Sequence, residues 1–449
     1  MGKRIGVFLV PLLIFSLVGF CQEEGEEVVK GRDILFAQKG LPYGFKASLP
    51  EIHGFLSSQY WNAQDHVQGS YANSGSSSYA PGQNTFLPHS FYIDIISELN
   101  SQLFIEGEFE MYKGEKGEFK VGAGRAVWHP SSKFILSLGR QFILLGSQEL
   151  VYYPTSKYRF MTWQPYVYEK FLRFTGWWDT GVCATGRIPV GENEAFLEYG
   201  LMVSNGPGDY TTHTDSSGVQ KYLTMKLTGY VYEMFNAHNR QSYDNNDNKP
   251  VSWRIGFSPF EGFLLRVEGM QGKYDASDTR DFNYLTSEVF FSRGRFDGMI
   301  GFAQLKFEAP ADPAGVGIWP GGTVKQRAVY IVGGYKVIEK KYGINFLQPV
   351  FRYQWFDPNV DCPDGVSQYE HYGKRQAFEV GLNFSPWEHF MARIGYRWQD
   401  ELKGDDLKGD GLTLEVVADF KKGGGDEKTN NRINYFLSSS FPLFVCSKL

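Results

Sequence analysis

The chain reads as all-β, a transmembrane up-and-down antiparallel β-barrel of eighteen strands. Three observations predict it. Polarity alternates residue by residue over segment after segment. The connections between those segments alternate in length. The composition is polar on average yet rich in Tyr, Phe and Gly.

The alternation is clearest in FEVGLNFSPWEHFMARIGYRW, residues 378–398. Phe378, Val380, Leu382 and Phe384 are apolar, with Glu379, Gly381 and Asn383 between them. Beyond SPWEH, Phe390, Ala392, Ile394, Tyr396 and Trp398 take the even positions, and Met391, Arg393, Gly395 and Arg397 the odd ones. A period of two means strands, and the Pro-containing joint makes these two a hairpin. Pairing Phe384 with Phe390 puts every even residue on one face. A soluble sandwich would turn that face toward a second sheet. A membrane barrel turns it outward to lipid and lines its interior with the polar face. Tyr396, Trp398, Phe378 and Phe384 sit toward strand ends, where aromatic girdles would lie.

The candidate strands are 51–61, 86–98, 101–112, 118–128, 133–143, 179–189, 195–204, 218–226, 230–237, 249–258, 262–272, 283–292, 295–307, 324–338, 344–356, 373–384, 388–398 and 410–420. Even-numbered connections are short, among them HPSS (129–132), VGENE (190–194), SPFE (258–261), RG (293–294) and SPWEH. Odd-numbered ones are long, among them 62–85, 144–178, 205–217, 238–248, 308–323 and 357–372, with 113–117 the exception. Sorting loops by length between two rims is what a barrel with one periplasmic and one outward end does. A propeller would repeat every four strands, and SPFE and SPWEH do not recur at that interval.

The 449 residues suffice for one large barrel or two to three soluble domains. Gly numbers 51, Tyr 27 and Phe 37, while charged residues make up 21%. This suits a barrel, because only every second strand residue meets lipid. No internal segment is long and apolar enough for a spanning helix. The formal charge of −5, or about −7 without Lys3 and Arg4, argues against a nucleic-acid partner.

The first 21 residues read as a signal peptide: MGKR, an apolar core at 5–20, then the acidic QEEGEE. Cys21 invites lipid attachment, but Phe20 is not the small residue such sites want; cleavage after Cys21, with Gly19 as a small position, is the other reading. Residues 22–50 form a periplasmic lead-in, 51–420 the barrel and 421–449 a C-terminal tail. Phe420 suits the end of a last strand, although NYFLSSSF further on could be one more. Cys183, Cys362 and Cys446 are too few and too widely spaced for a disulfide framework or a metal site.

On LGRQF (138–142), DTGV followed by Gly186, YGLMVSNGPG (199–208), GFSPFEGFLLRVEG (256–269) and the terminal pair NFSPWEHFMARIGYRW and LTLEVVADF, the chain resembles the phosphate-selective porin family, porins O and P, and its wider relatives. The motifs are short and spread over about 51–420. The resemblance implies a trimeric outer-membrane channel with an inward-folded third loop; no cofactor is expected. It also implies sixteen strands, the alternative to the eighteen counted. No lysine cluster on the strands answers to a phosphate pathway.

The same alternation assigns lumen-facing residues. Asp94 and Glu98, then Glu106, Glu108 and Glu110, turn inward on the second and third strands. Arg187, Arg254, Arg266, Arg352, Arg393 and Arg397 turn inward from the sixth strand on, with Glu198, Glu268, Glu379 and Glu415 among them. Walls of opposite sign would set a field across the pore; charges that merely pair would not. The loop 144–178, rich in Tyr and Trp, would narrow the lumen and bring Glu149, Lys157, Arg159, Lys170 and Arg173 to the passage. An external cap is the other reading of that loop.

No catalytic constellation is present. His89 and Ser90 are adjacent and point to opposite faces, and the histidines show no metal spacing. The expectation is a diffusion channel for small hydrophilic, charged solutes in the outer membrane of a Gram-negative bacterium, bounded by lipid and lipopolysaccharide and assembled as a homotrimer. A non-conducting barrel serving as adhesin or assembly scaffold is the alternative.

Overall fold

The computed structural model describes residues 51–63 and most of 85–422. Residues 1–50, 64–84 and 423–449 lie outside the description, as do 101, 113–117, 152, 155, 157, 163, 169–177, 192–194, 207–212, 215–219, 222–224, 229–230, 235–246, 276–277, 310–321, 362–369, 372 and 404–409. The expected signal peptide and lead-in, and nearly all of the expected tail, therefore fall beyond it.

Seven antiparallel strands come first: β1 (Glu51–Ala63), β2 (Thr85–Asn100), β3 (Leu103–Tyr112), β4 (Glu118–Ser131), β5 (Phe134–Phe142), β6 (Trp178–Pro189) and β7 (Phe196–Ser204). Nine more follow: β8 (Val251–Ser258), β9 (Phe263–Lys273), β10 (Asp281–Arg293), β11 (Phe296–Ala309), β12 (Gly322–Tyr335), β13 (Ile344–Asp361), β14 (Lys374–Ser385), β15 (Phe390–Lys403) and β16 (Gly411–Lys422). Each pairs with the next, and β16 pairs with β1 from Ile52↔Lys422 to Ala63↔Gly411. The sheet closes on itself, so no edge is left with unpaired backbone groups. Phe420 stands opposite Gly54 within this closing pair.

The barrel has sixteen strands, not eighteen. Strand β7 pairs directly with β8, Ser252 opposite Met202 and Phe257 opposite Leu197. The two surplus candidates, 218–226 and 230–237, overlap a small separate hairpin in which Met225–Thr228 pairs with Val231–Met234. It lies within the connection between β7 and β8. A hairpin inserted into one connection adds two strands and leaves the order of long and short connections unchanged, which is why loop length could not expose it. The segment Ile338–Lys341 is a short strand that pairs only with the start of β13 and is not a further stave.

Hairpin 378–398 faces as the alternation predicts. Phe378, Val380, Leu382, Ile394 and Trp398 are exposed on the outside, while Glu379, Asn383, Arg393 and Arg397 are buried within. The register differs by two residues: Phe384 opposes Ala392, not Phe390. Because two is the side-chain period, the faces are preserved. The turn therefore takes Pro386–His389, and Phe390 lies against Ala418 of β16. On the outer surface the Phe378 and Trp398 rings stack at 5.9 Å.

Candidate functional site

The loop after β5 enters the barrel. Ile143, Leu145, Leu150, Tyr158, Phe160, Met161 and Tyr166 to Tyr168 are buried in one cluster with wall residues such as Met202, Leu264, Met270 and Val350. Segments with exposed loops do not bury a run of apolar side chains, so the external-cap reading does not hold for the described part of this loop.

Glycines on the inner wall give the loop its seats. A Cβ on Gly200 would fall 2.7 Å from Leu144, and one on Gly381 would fall 3.2 Å from the Met161 sulfur. Gly395 lies directly across from Gly381, beneath the same sulfur. The high glycine content is therefore partly a matter of loop packing.

Polar anchors fix the loop to strands around the lumen. The Gly146 amide donates to Thr286 Oγ1 at 3.2 Å and the Ser147 amide to Glu268 Oε2 at 2.9 Å. Glu149 accepts from Arg254 Nη1 at 2.8 Å and Arg266 Nη1 at 2.7 Å. The Tyr153 hydroxyl donates to Glu108 on β3. On the other side, Arg393 of β15 donates to the Pro154 carbonyl, and Arg159 reaches Glu415 of β16 at 3.5 Å. The Tyr166 amide donates to Gln354 Oε1 at 2.8 Å and its hydroxyl to Gln399 Oε1 at 2.7 Å. The guanidiniums of Arg375 and Arg397 lie 5.9 and 5.6 Å from its ring centroid. The Tyr168 hydroxyl donates to Glu288, which also accepts from Tyr330. The loop thus spans from β8–β10 through β3 to β13–β16.

Burial alone raises the Glu149 pKa. The guanidiniums of Arg254 and then Arg266 outweigh that and hold the carboxyl below the usual glutamate range. Burial and the neighbouring Glu108 carboxylate push the Tyr153 hydroxyl well above the usual tyrosine value, so it stays a donor.

All six predicted arginines and all five predicted acids lie on the inward alternation of their strands, but the arginines do not form a wall of their own. Register sets each opposite or near a carboxylate: Arg254 against Glu268, Arg352 against Glu379, Arg397 against Glu379, Arg393 against Glu415 and Arg187 against Glu198. Arg266 grips Glu198 with Nε at 3.0 Å and Nη2 at 2.9 Å. Arg393 Nη1 is 2.8 Å from Glu415, and Arg397 Nε is 2.9 Å from Glu379. The arginines therefore pair with carboxylates of nearby strands and, for Arg254 and Arg266, of the loop, instead of forming a wall opposite the acids of β2 and β3.

On β2 and β3 the acids lie close together. Asp94 opposes Glu108 in register. Asp94 Oδ1 and Glu108 Oε1 are buried without a hydrogen-bond partner among the described residues. Glu106 is bound by Arg125 at 2.5 Å, while Glu110 lies one inward step beyond Glu108 and Glu98 lies opposite Phe104. Lys157, Lys170 and Arg173 lie outside the described residues.

Several inward groups escaped the sequence reading. Arg125, on the same alternation as buried Ala123 and Val127, could have been found by extending the period along β4. Tyr153, Tyr166 and Tyr168 could not, since a loop has no period. A cavity of about 60 Å³ between the loop base and the β4–β6 wall is lined by Glu106, Arg125, Gln141, Glu149, Cys183 and Arg254. Cys183 is a buried free thiol.

No protein-family model and no curated protein sequence matches the chain. Solved structures do match in fold. The outer membrane channel DcaP of Acinetobacter baumannii aligns with a TM-score of 0.54 at 9% identity, over 83% of this chain and 97% of that one. The anion-selective porin of Comamonas acidovorans gives 0.52 at 10% identity, over 83% and 100%. OmpF of Salmonella typhi, in complex with daunomycin, gives 0.50 at 10% identity, over 84% and 98%. At these identities the likeness is one of fold: a closed antiparallel barrel.

Proposed function

We propose that the chain is a bacterial outer-membrane porin: a water-filled channel passing small hydrophilic, charged solutes. One observation carries the reading. The loop 143–168 is tied across the inside of a closed sixteen-strand barrel whose inner face is ionic. Sixteen strands leave a lumen too wide for side chains to fill, so the interior is wet and needs a constriction. The outward apolar belt meets hydrocarbon. The named neighbours, two porins and an outer membrane channel, support the same reading.

In this reading the leader 1–21 is removed, 22–50 and the tail lie in the periplasm, and the barrel assembles as a homotrimer among outer-membrane lipid and lipopolysaccharide. Asp94, Glu98, Glu106, Glu108, Glu110 and the paired arginines stand on the lumen side, most of them buried against the loop or their partners, and set the charge around the passage. The phosphate preference implied by the sequence resemblance gains no support from the lumen. The six arginines named above are committed to carboxylates, and lysines at strand positions such as Lys306 and Lys325 lie on the outward alternation.

Liposome swelling tests the proposal. Vesicles carrying the folded protein should swell in isotonic sugars and amino acids, faster for smaller solutes. Folded, inserted protein with no swelling for any solute would contradict the channel reading and favour the scaffold alternative.

A further inference from the structure

One inward arginine stands apart from the paired ones. Arg375 is the second residue of β14, near the rim of the long connections. It shares an inward row with Phe356 of β13 and Glu401 of β15. Its guanidinium lies 5.4 Å from the Phe356 ring centroid and 5.9 Å from that of Tyr166 on the lumen loop. It makes no ion pair or hydrogen bond among the described residues, and its Nε is buried without a partner.

Glu401 stands directly opposite on the neighbouring strand, yet the two do not join. Each is held by other contacts. Glu401 Oε1 accepts from Gln399 Nε2 at 2.6 Å, and Oε2 has no partner among the described residues. Gln399 is fixed in turn: its amide donates to Asp410 Oδ1 at 2.7 Å, and its Oε1 accepts from the Tyr166 hydroxyl at 2.7 Å. Tyr166 therefore sets both charges, Arg375 through its ring and Glu401 through Gln399. Arg397, the other cation at that ring, holds Glu379 at 2.9 Å.

A positive and a negative group thus stand on adjacent strands, both half-buried and neither neutralised. Cβ atoms so placed are about 5 Å apart. A simple anion at Arg375 would be repelled by Glu401, and a simple cation at Glu401 by Arg375. A molecule carrying both charges satisfies both. An α-amino acid bears its carboxylate and ammonium on one carbon, close enough to bridge strands about 4.8 Å apart.

We propose that Arg375 and Glu401 form a lumen subsite for zwitterionic α-amino acids. The guanidinium forks onto the carboxylate, and Glu401 Oε2 accepts from the ammonium. The rings of Phe356 and Tyr166 keep water from the guanidinium, which strengthens its hold on a carboxylate. The amino-acid side chain takes no part in these contacts, so the subsite selects the zwitterion and not one particular residue. The proposal deepens the channel reading and rests on it for one point, that solutes reach this face of the barrel.

Saturation-transfer NMR on the detergent-solubilised full chain tests this with three probes: glycine and its two halves, acetate and methylamine. Glycine should bind wild type roughly tenfold more tightly than either half, because each half forfeits one charge-assisted contact. Arg375→Gln and Glu401→Gln should each weaken glycine roughly tenfold. Glu401→Gln should also tighten acetate, and Arg375→Gln methylamine, because the opposing charge is gone. Gln376→Ala, on the outward face beside exposed Tyr353, should change none of these. Acetate binding wild type as tightly as glycine would reduce the site to an anion contact and overturn the proposal. So would glycine binding that both variants leave unchanged. Absence of saturable glycine binding, the result expected if Arg375 and Glu401 close on each other, overturns it as well. Heat-modifiable migration in gels checks that each variant folds; if one does not, the other decides with the same probes. Single-channel current from the same preparations keeps the two readings apart. Current without glycine binding removes only the subsite, and glycine binding without current removes only the channel.

Discussion

The guanidinium of Arg266, 0% exposed on β9, meets the carboxylate of Glu149 on the lumen loop at 2.7 Å. Arg254 holds the same carboxylate, and Glu198 and Glu268 complete a buried network of two arginines and three glutamates. Such a network contributes more to fixing one loop position than to net stability, because both charges are desolvated to make it.

Glu149→Gln should therefore release the loop. Glu198 and Glu268 still face the guanidiniums, so the cost should be about 3 kcal/mol, the low end for breaking a buried pair. The folded band in heat-modifiability gels should convert at lower temperature, and open-channel noise should rise. Unchanged noise would mean that the apolar contacts alone hold the loop.

Acid should act late. A carboxyl held below its ordinary value is stabilising above the unfolded glutamate pKa of about 4.3, and that contribution is lost as pH falls through the lower folded value. The part of the conductance that depends on the Glu149 contact should hold steady from neutrality to about pH 4 and change only under stronger acid. The Glu149→Gln channel should lack that low-pH change. A transition near pH 6 in wild type would point to a different group.

Ile394 and Gly395 are chain neighbours on opposite faces, the first 45% exposed to the outside and the second buried within. Ile394→Arg should cost about 2–4 kcal/mol near mid-membrane. Gly395→Ser should be tolerated, since a Cβ there would find nothing nearer than 3.5 Å. Equal losses in unfolding titrations at the two positions would mean that the faces are misassigned.

The paired charges make a prediction for selectivity. Removing Arg393 and Arg397 leaves Glu415 and Glu379 less compensated, so the double Gln variant should shift reversal potentials in a KCl gradient toward cations. Glu106, Glu108 and Glu110 changed to Gln should shift them toward anions. Both shifts should shrink near 1 M salt, where screening reaches about 3 Å. If neither variant moves the potential, these charges are scaffold.

Much of this was legible in the sequence, and what was not has identifiable causes. The period of two sorted the named strand acids and arginines to the inside, because an apolar outer band leaves charge in mid-strand only the inner face. It could not say that Arg352 and Glu379, or Arg393 and Glu415, stand opposite each other, since that depends on register. Register itself slipped by two at Phe384, where the SPWEH joint alone does not define the turn. The hairpin at 225–234 alternates like a stave and is excluded only by the β7–β8 pairing. Length and aromatic content marked the loop as special, but its clasps, such as Tyr166 with Arg375 and Arg397, join residues over two hundred positions apart.

Single-channel recording in planar bilayers tests the central claim most directly. Wild-type protein should insert with discrete current steps, and a variant lacking most of 144–178 should give larger steps from a barrel that still folds. Folded insertion without steps, or steps of the same size once the loop is gone, would contradict a channel narrowed from within.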